Sequence, residues 1–287
     1  MFKRILIPLL LLLALNGIEV FAAASTTAPV ALTFGVYQSD KATVMYRKFL
    51  PVLEYLQKQM EIRLGQPVDI ELKIFKDYDQ ANDALVAGEV DFVRFGPASY
   101  AIANDRNEGI QLIAMEEKKG KKRFRGMIVV HSDSPIKTLQ DLKGRRFAFG
   151  NDKSTIGRYL AQAEMVKAGI HAKDLTGYDY LGRHDKVFKA VALGDYDAGA
   201  LKEATFKRNN KAGTLRVLKT FENVTKPWIA REGLDAHIVD AIRQGLLSLK
   251  DKDILKIFKA SGFLPTSNDE YAFVRQGMRL SAEFMEK

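Results

Sequence analysis

The sequence predicts an α/β protein with two lobes, each built on a mostly parallel sheet flanked by helices. Strand-like and helix-like segments alternate along most of the chain, which is typical of a parallel sheet covered on both faces. Four strand-like runs end in a short turn bearing Gly, Ser or His and lead into a helical pattern. A late strand-like run from residue 215 continues neither lobe, which indicates that the chain crosses between the lobes twice.

The N-terminal segment has the three regions of a secretory signal peptide. Lys3 and Arg4 precede an apolar run at residues 5–14, and the alanines at 22–24 supply an A-x-A cleavage pattern. The alternative is a membrane anchor, but the run is shorter than the about 20 residues that span a bilayer. We therefore expect cleavage of residues 1–24 and a periplasmic mature protein that is not embedded in the membrane.

The first lobe is expected over residues 28–124 together with 220–287. Apolar residues at helical spacing predict its first helix, in which Pro51 is a possible kink, and Gly88 is a stop signal for its second helix. Pro97 suits the first turn of the third helix. The predicted strands are 31–36, 68–75, 90–95 and 111–115, and the predicted helices are 43–60, 78–87 and 98–103.

The second lobe is expected over residues 126–216. Its predicted strands are 127–130, 146–149, 177–181 and 198–201, and its predicted helices are 138–143, 155–168 and 186–193. A strand at 215–221 and helices at 236–249, 251–260 and 268–284 follow. Crossings near residues 124–127 and 215–222 would form a two-strand hinge, on which such lobes close around a ligand.

The composition favours binding of an anion and excludes several kinds of site. The net charge of +9 would become +8 after cleavage, because two basic residues and one acidic residue are lost. A basic surface attracts anions. The chain has no cysteine, which excludes disulfides, thiolate metal sites and a lipid-modified N-terminal cysteine. The dense basic run at 118–125 is interpreted as a solvated hairpin turn, and no nucleic-acid-binding module accompanies it.

The four strand-to-helix turns are the main functional signal. They lie at residues 34–39, 95–100, 149–155 and 180–185. Ligands of open α/β sheets bind beyond the carboxyl ends of strands, and helix starts there present free N–H groups and partial positive charge. The turns predict a receptor for a small oxyanion. The four histidines are scattered and no nucleophile motif surrounds a serine, so we expect no metal, no cofactor and no enzyme.

Several ordered runs resemble one family. Residues 91–100 are similar to a strand–Gly-Pro–Ser–Tyr turn, 153–157 to a Ser-Thr-Ser-Gly helix start, and 182–200 to a stretch of the form G-x-H-D…D-A-G-A. These runs resemble the phosphate-, phosphite- and phosphonate-binding proteins of ABC importers, which are type II periplasmic binding proteins. The resemblance covers about residues 30–235 and implies a receptor that delivers a phosphorus oxyanion to an ABC permease.

The resemblance also implies ligand contacts in the second lobe. Ser154 and Thr155 match hydroxyls that donate to the oxygens of the ligand, and His184 matches a pocket histidine with Asp185 as its neighbour. Plainer interpretations exist, since Ser and Thr are common N-caps and a lone histidine is usually on the surface. The second serine of the motif is Ile156 here. If Ile156 faced the ligand, one oxygen would lose a hydrogen bond of about 1–3 kcal/mol.

In the first lobe the resemblance implies three further contacts. Tyr100 matches an aromatic hydroxyl that closes on the ligand, and Tyr46 matches an aromatic residue on the first helix. Ser39 lies in the first loop and could donate from there. Tyr100 could instead be a core residue with a satisfied hydroxyl, and Ser39 could be only a cap. Two other functions stay open: a sensor module for a membrane histidine kinase or chemoreceptor, and a periplasmic enzyme on the same fold.

Overall fold

A computed structural model describes residues 28–286, so the predicted signal peptide lies outside the described residues. The strands are β1 (Val30–Tyr37), β2 (Val68–Phe75), β3 (Phe92–Arg94), β4 (Gln111–Glu117), β5 (Arg123–His131), β6 (Arg146–Phe149), β7 (Gly177–Tyr180), β8 (Ala198–Lys202), β9 (Leu215–Val224), β10 (Pro227–Ala230) and β11 (Gly262–Leu264). The helices are α1 (Ala42–Leu64), α2 (Tyr78–Val86), α3 (Pro97–Arg106), α4 (Leu160–Lys167), α5 (His184–Ala192), α6 (Glu203–Asn209), α7 (Ala236–Ser248), α8 (Lys252–Phe258) and α9 (Ala272–Glu286).

The strands form two mixed sheets. The first has the order β11-β4-β10-β3-β1-β2, in which β1 runs parallel to β2 and β3 while β10 runs antiparallel to β3 and β4. The second has the order β7-β6-β8-β5-β9, in which β6 runs parallel to β7 and β8 while β5 runs antiparallel to β8 and β9. The two-sheet α/β fold is confirmed. The expectation of mostly parallel sheets is wrong, because the strands that lead into and out of the crossings run against their neighbours.

Strand-to-strand crossings between the sheets occur at residues 118–122 and at Thr225–Lys226, and residues 265–271 cross a third time, from β11 to α9. Both strand-to-strand crossings lie a few residues from their predicted positions, because β5 and β9 pair along their full lengths inside the second sheet. At the first crossing, Lys118 and Lys121 close a hairpin turn whose central residues, Lys119 and Gly120, have φ angles of 52° and 75°. The basic run therefore contains the hairpin turn that its composition predicted.

Hydrophobic cores lie on both faces of the first sheet. On one face, α1, α7 and α8 cover Phe34 and Trp228, whose rings stack with centroids 4.6 Å apart. The side chains that α1 buries recur at helical spacing, as its sequence predicted, and Pro51 lies inside the helix. On the other face, α2 and α3 cover Val93 and Phe95. The strand ends that carry the predicted turns are thus fixed by packing on both sides.

The second sheet is covered by α4 and α9 on one face and by α5 and α6 on the other. The expected division assigned residues 220–287 to the first lobe, whereas α9 contacts both units: Val274 packs in the core beside α2 and α3, and Arg275 binds Asn104 on α3. Phe284 is fully buried in the core of the second sheet, and Ser281 Oγ lies 2.5 Å from Gln162 Oε1 on α4. Gly277 allows this close approach, because a Cβ there would lie 2.5 Å from Leu160.

Candidate functional site

The turn after β6 places Ser154 and Thr155 at the start of a helix. The Gly150 N–H donates to the Gly157 carbonyl over 2.8 Å, and a Cβ on Gly157 would lie 2.8 Å from the Gly150 Cα. This close backbone contact requires glycine at both positions. Ser154 Oγ accepts a hydrogen bond of 3.0 Å from the Gly157 N–H and caps a wide helical turn, Thr155–Tyr159, that continues into α4.

The turn after β3 meets the turn after β6 across the gap between the sheets. Gly96 caps α3 and Pro97 occupies its first turn. The next N–H, that of Ala98, donates to Thr155 Oγ1 over 3.0 Å. The starts of two helices, one from each sheet, therefore point at the same place. We call the residues Gly96, Ala98, Ser99, Ser154 and Thr155 the cradle.

The hydroxyls of Tyr37 and Ser99 also lie at the cradle. A Cβ on Gly96 would lie 2.8 Å from the Tyr37 hydroxyl and 3.7 Å from Thr155 Oγ1, so glycine there lets both groups approach. Tyr37 is held by stacking on Tyr78 with ring centroids 3.8 Å apart. Ser99 is 1% exposed, and its Oγ lies near the Tyr37 hydroxyl without forming a well-aligned hydrogen bond. An unsatisfied buried hydroxyl of this kind is costly unless a ligand or water completes it.

His184 begins α5 on the second-sheet side of the gap. Its Nδ1 is buried and has no hydrogen-bond partner within the described part of the chain. Burial, and then the nearby Lys202 and Lys226, lower the pKa of His184 to about 3. The imidazole is therefore neutral at physiological pH, when one ring nitrogen carries a proton that it can donate.

A group of cations adjoins the cradle. We call Lys48, Arg94, Lys118, Lys202 and Lys226 the cationic cluster. Arg94 Nε lies 2.5 Å and Lys118 Nζ 4.0 Å from the carboxylate of Glu116, which is 1% exposed.

Three lysines of the cationic cluster have no such partner. Among the described residues, Lys48, Lys202 and Lys226 form no ion pair with a carboxylate within 4.0 Å and no side-chain hydrogen bond. Lys48 Nζ lies 5.1 Å from the ring centroids of both Phe49 and Phe258, and Lys226 Nζ lies 5.8 Å from that of Tyr37.

The pKa values show that these cations repel one another. Burial and then Arg94 lower the pKa of Lys48 to about 6, and the same two causes lower the pKa of Lys202 to about 8. They also lower the pKa of Lys226 well below its usual range. Burial acts to raise the pKa of Glu116, but Arg94 and the neighbouring lysines lower it to about 2. The cradle thus lies in a strongly positive field that one carboxylate does not balance.

The structure brings some predicted residues together and not others. Ser154 and Thr155 lie in the cradle, and His184 shares the field of Lys202 and Lys226. Tyr100 is 2% exposed, donates to Asn268 Oδ1 over 3.0 Å and packs edge-on against Tyr271. These contacts agree with the alternative that the sequence left open for Tyr100, namely a core tyrosine whose hydroxyl has a hydrogen-bond partner.

The other predicted contacts also have partners or lie on the surface. Asp185 is bound by the Arg183 guanidinium through two hydrogen bonds of 2.9 and 2.8 Å. Ser39 is exposed, and its Oγ lies 3.6 Å from Met45 Sδ. Tyr46 is 45% exposed on α1. None of the contacts among the described residues joins these three side chains to the cradle.

Ile156 does not face the cradle. Its side chain is 4% exposed and packs in the core of the second sheet, so the substitution of the motif serine removes no donor from the cradle as the structure shows it. Two basic side chains beside Ile156 in the sequence, Lys153 and Arg158, are engaged elsewhere. Lys153 Nζ lies 3.5 Å from Asp79 Oδ1, and Arg158 donates to the Asp152 carbonyl and to Gln162.

Sequence reasoning did not identify Tyr37, Ser99 or the cationic cluster. Arg94 left a signal, because a charge interrupts the apolar strand that leads into the Gly-Pro turn. Lys202 likewise ends the apolar strand β8. Lys226 left no signal, since only the pairing of β9 and β10 in different sheets places it between them. The described residues include no group of three or more acidic or histidine side chains that could hold a metal ion.

Comparison with known proteins identifies the family. The family model of the periplasmic substrate-binding proteins of phosphonate ABC transporters matches residues 34–271. The chain belongs to this family. A relative, the probable ABC transporter phosphite-binding protein PhnD1 of Prochlorococcus marinus strain MIT 9301, is 26% identical over 283 residues, which cover 90% of this chain and 92% of PhnD1.

Solved structures share the fold of this phosphonate-transporter family member. XAC2383 from Xanthomonas citri, solved with ATP bound, is 23% identical with a TM-score of 0.76, covering 88% of this chain and 98% of that one. PhnD1 from Prochlorococcus marinus in complex with methylphosphonate is 24% identical with a TM-score of 0.72 and the same coverage. Within residues 28–286, no helix of the family member is both long and apolar enough to cross a bilayer.

Proposed function

We propose that this protein is a periplasmic receptor that binds a small phosphorus oxyanion between its two lobes and delivers it to an ABC permease. The ligand class is phosphonate, phosphite or phosphate. Family membership supports the importer role over a sensor module or an enzyme. The name of the Prochlorococcus relative, a phosphite-binding protein, and its complex with methylphosphonate support the ligand class.

The hydrogen bond from the Ala98 N–H to Thr155 Oγ1 carries the proposal. It brings donors from both sheets within reach of one small group. In the ligand-free protein the Ala98 N–H donates to the Thr155 hydroxyl oxygen. A tetrahedral oxyanion between these two groups would accept hydrogen bonds from the Ala98 N–H and from the Thr155 hydroxyl. Ser154 Oγ accepts from the Gly157 N–H, so its own proton is free to donate to the same anion. Ser99 is a further donor, whereas the one proton of neutral His184 is engaged with the backbone of Ala200.

The lobes that would close on the ligand follow the two sheets. The first lobe would hold residues 28–117 with 227–264, and the second would hold 123–224 with 272–286. The hinge would be the crossings at 118–122 and Thr225–Lys226. No residue of the cradle is positioned as a nucleophile with a base, so we propose binding without turnover.

The test is a double substitution, Ser154→Ala with Thr155→Ala. We expect its affinity for methylphosphonate, phosphite or phosphate to fall at least tenfold in calorimetry, because two donors to a charged group are lost. The matched control is Ser132→Ala with Thr220→Ala, which removes hydroxyls outside the cradle and should leave affinity unchanged. Unchanged affinity in the cradle variant, or release of phosphate from a bound phosphoester by the wild type, would contradict the proposal.

A further inference from the structure

The cationic cluster holds more basic side chains than its one carboxylate can pair. Five basic residues face Glu116, and the lowered pKa of Lys48 leaves that lysine largely neutral at pH 7.5 until an anion binds. Glu116 forms ion pairs with Arg94 and Lys118. The side chains of Lys48, Lys202 and Lys226 are half-buried, and a charge that is partly removed from water is favoured beside an opposite charge. The three remaining lysines are therefore the unexplained part of the site.

The three lysines border the cradle. Lys226 Nζ lies over the ring of Tyr37, whose hydroxyl lies at Gly96. Lys202 ends β8, and the backbone of the same strand at Ala200 lies against the His184 ring. Lys48 and the guanidinium of Arg94 lie over the same two rings, those of Phe49 and Phe258, and Arg94 directly precedes the Phe95-Gly96 turn. The lysines thus extend from the cradle along the gap between the sheets.

We propose that the ligand carries a second acidic group, which Lys48, Lys202 and Lys226 bind while the cradle holds the first. This inference rests on the proposed function and narrows its substrate class. The class comprises diphosphates, bisphosphonates and phosphonates with a distal acid. The same field repels a positive charge, so an aminoalkylphosphonate is a poor ligand of this receptor.

The titration of the lysines supports the proposal. The pKa of Lys48 is about 6 in the absence of an anion, so this residue is largely neutral at pH 7.5. A second acidic group beside it favours the charged form and raises its pKa. Binding of such a ligand therefore takes up a proton. The groups that face Lys48 are Arg94, Glu116, Lys118, Lys202 and Lys226, and of these only Glu116 is acidic.

The experiment compares three probes on the wild type at constant ionic strength. Methylphosphonate has one acidic group, inorganic pyrophosphate has two, and aminoethylphosphonate has a cationic tail. We expect pyrophosphate to bind at least 100-fold more tightly than methylphosphonate, and aminoethylphosphonate to bind more weakly than methylphosphonate. Calorimetry in two buffers of different ionisation enthalpy should show uptake of a proton with pyrophosphate at pH 7.5.

Substitutions assign the effect to the lysines. Lys48→Met and Lys202→Met should each weaken pyrophosphate binding at least tenfold more than they weaken methylphosphonate binding, because only pyrophosphate reaches them with a second acidic group. Lys48→Met should also reduce the proton uptake. Both variants should fold with the melting temperature of the ligand-free protein unchanged or higher, because each replaces an amine whose charged form its neighbours disfavour with an uncharged side chain of similar length. The matched control, Lys250→Met, changes an exposed lysine and should change nothing.

The outcomes separate the two proposals. If methylphosphonate binds but pyrophosphate binds no more tightly, the second subsite is refuted and the proposed function stands. If pyrophosphate binds more tightly but the methionine variants retain that preference, other groups bind the second acid and the inference is equally refuted. If no phosphorus oxyanion binds at all, the proposed function itself is wrong.

Discussion

Thr155→Val separates ligand binding from closure of the lobes. Valine keeps the shape of threonine but lacks the hydroxyl that accepts from the Ala98 N–H over 3.0 Å. In the bound state the same hydroxyl would donate to the anion. A hydrogen bond to a charged group contributes about 1.5–3 kcal/mol, so affinity should fall about 10- to 150-fold. Thr155→Ser retains the hydroxyl and should stay within threefold of the wild type.

The ligand-free protein should change as well. Loss of a neutral hydrogen bond costs about 1 kcal/mol, which lowers the ratio of closed to open molecules about fivefold. Because the chain has no native cysteine, Lys58→Cys on α1 and Lys189→Cys on α5 allow specific spin labelling of exposed sites, one on each sheet unit. Pulsed electron paramagnetic resonance should then show a longer label-to-label distance in the valine variant.

The affinity and the label-to-label distance together test whether the bond between Ala98 and Thr155 joins the two binding surfaces. Affinity within threefold of the wild type in Thr155→Val, with a normal response in Thr155→Ser, would show that the hydroxyl does not contact the ligand. An unchanged distance distribution would show that the bond to Ala98 does not hold the lobes together. Either result would refute the reasoning that this bond is the meeting point of the two binding surfaces.

Three further outcomes are expected. Lowering the pH from 7 to 5 should destabilise the wild type by about 2 kcal/mol more than it destabilises His184→Gln. The reason is that the histidine protonates near pH 6.5 in the unfolded chain and only near pH 3 in the native protein. If urea unfolding gives the two proteins the same dependence of unfolding free energy on pH, the prediction is wrong. Gly157→Ala should lower the free energy of unfolding by about 1–3 kcal/mol and remove most of the affinity for the ligand. Gly177→Ala, with open space around the new Cβ, should change neither stability nor affinity. Glu116→Gln should cost about 3–5 kcal/mol by leaving Arg94 unpaired, and saturating phosphate should restore part of it; no loss in urea unfolding would argue against the pair.

Local sequence patterns predicted much of the fold. Helical spacing predicted α1 correctly, and the turn of residues 149–155 was placed at the correct strand end. The short strands β10 and β11 were not predicted. The amphipathic pattern of α9 predicted a helix but could not indicate which sheet would cover its apolar face.

The sequence also predicted some features of the candidate site and not others. Ser154, Thr155 and His184 were identified because each stands in an ordered motif at a strand-to-helix turn. Ile156 was judged by its chemistry as a lost donor, but its position in the helix points it into the core. Tyr100 was assigned to the ligand, whereas the structure gives its hydroxyl to Asn268.

The amino-acid order alone determined the two-lobe α/β class, the family and the hydroxyl-bearing helix start at Ser154, because these depend on neighbours along the chain. Only the tertiary structure decided that Ala98 meets Thr155 and that Lys48, Lys202 and Lys226 share one field. Those residues come from α1, β8 and a crossing between sheets, so their separation in space is set by packing and strand pairing. Electrostatic interaction depends on that separation and not on distance in sequence.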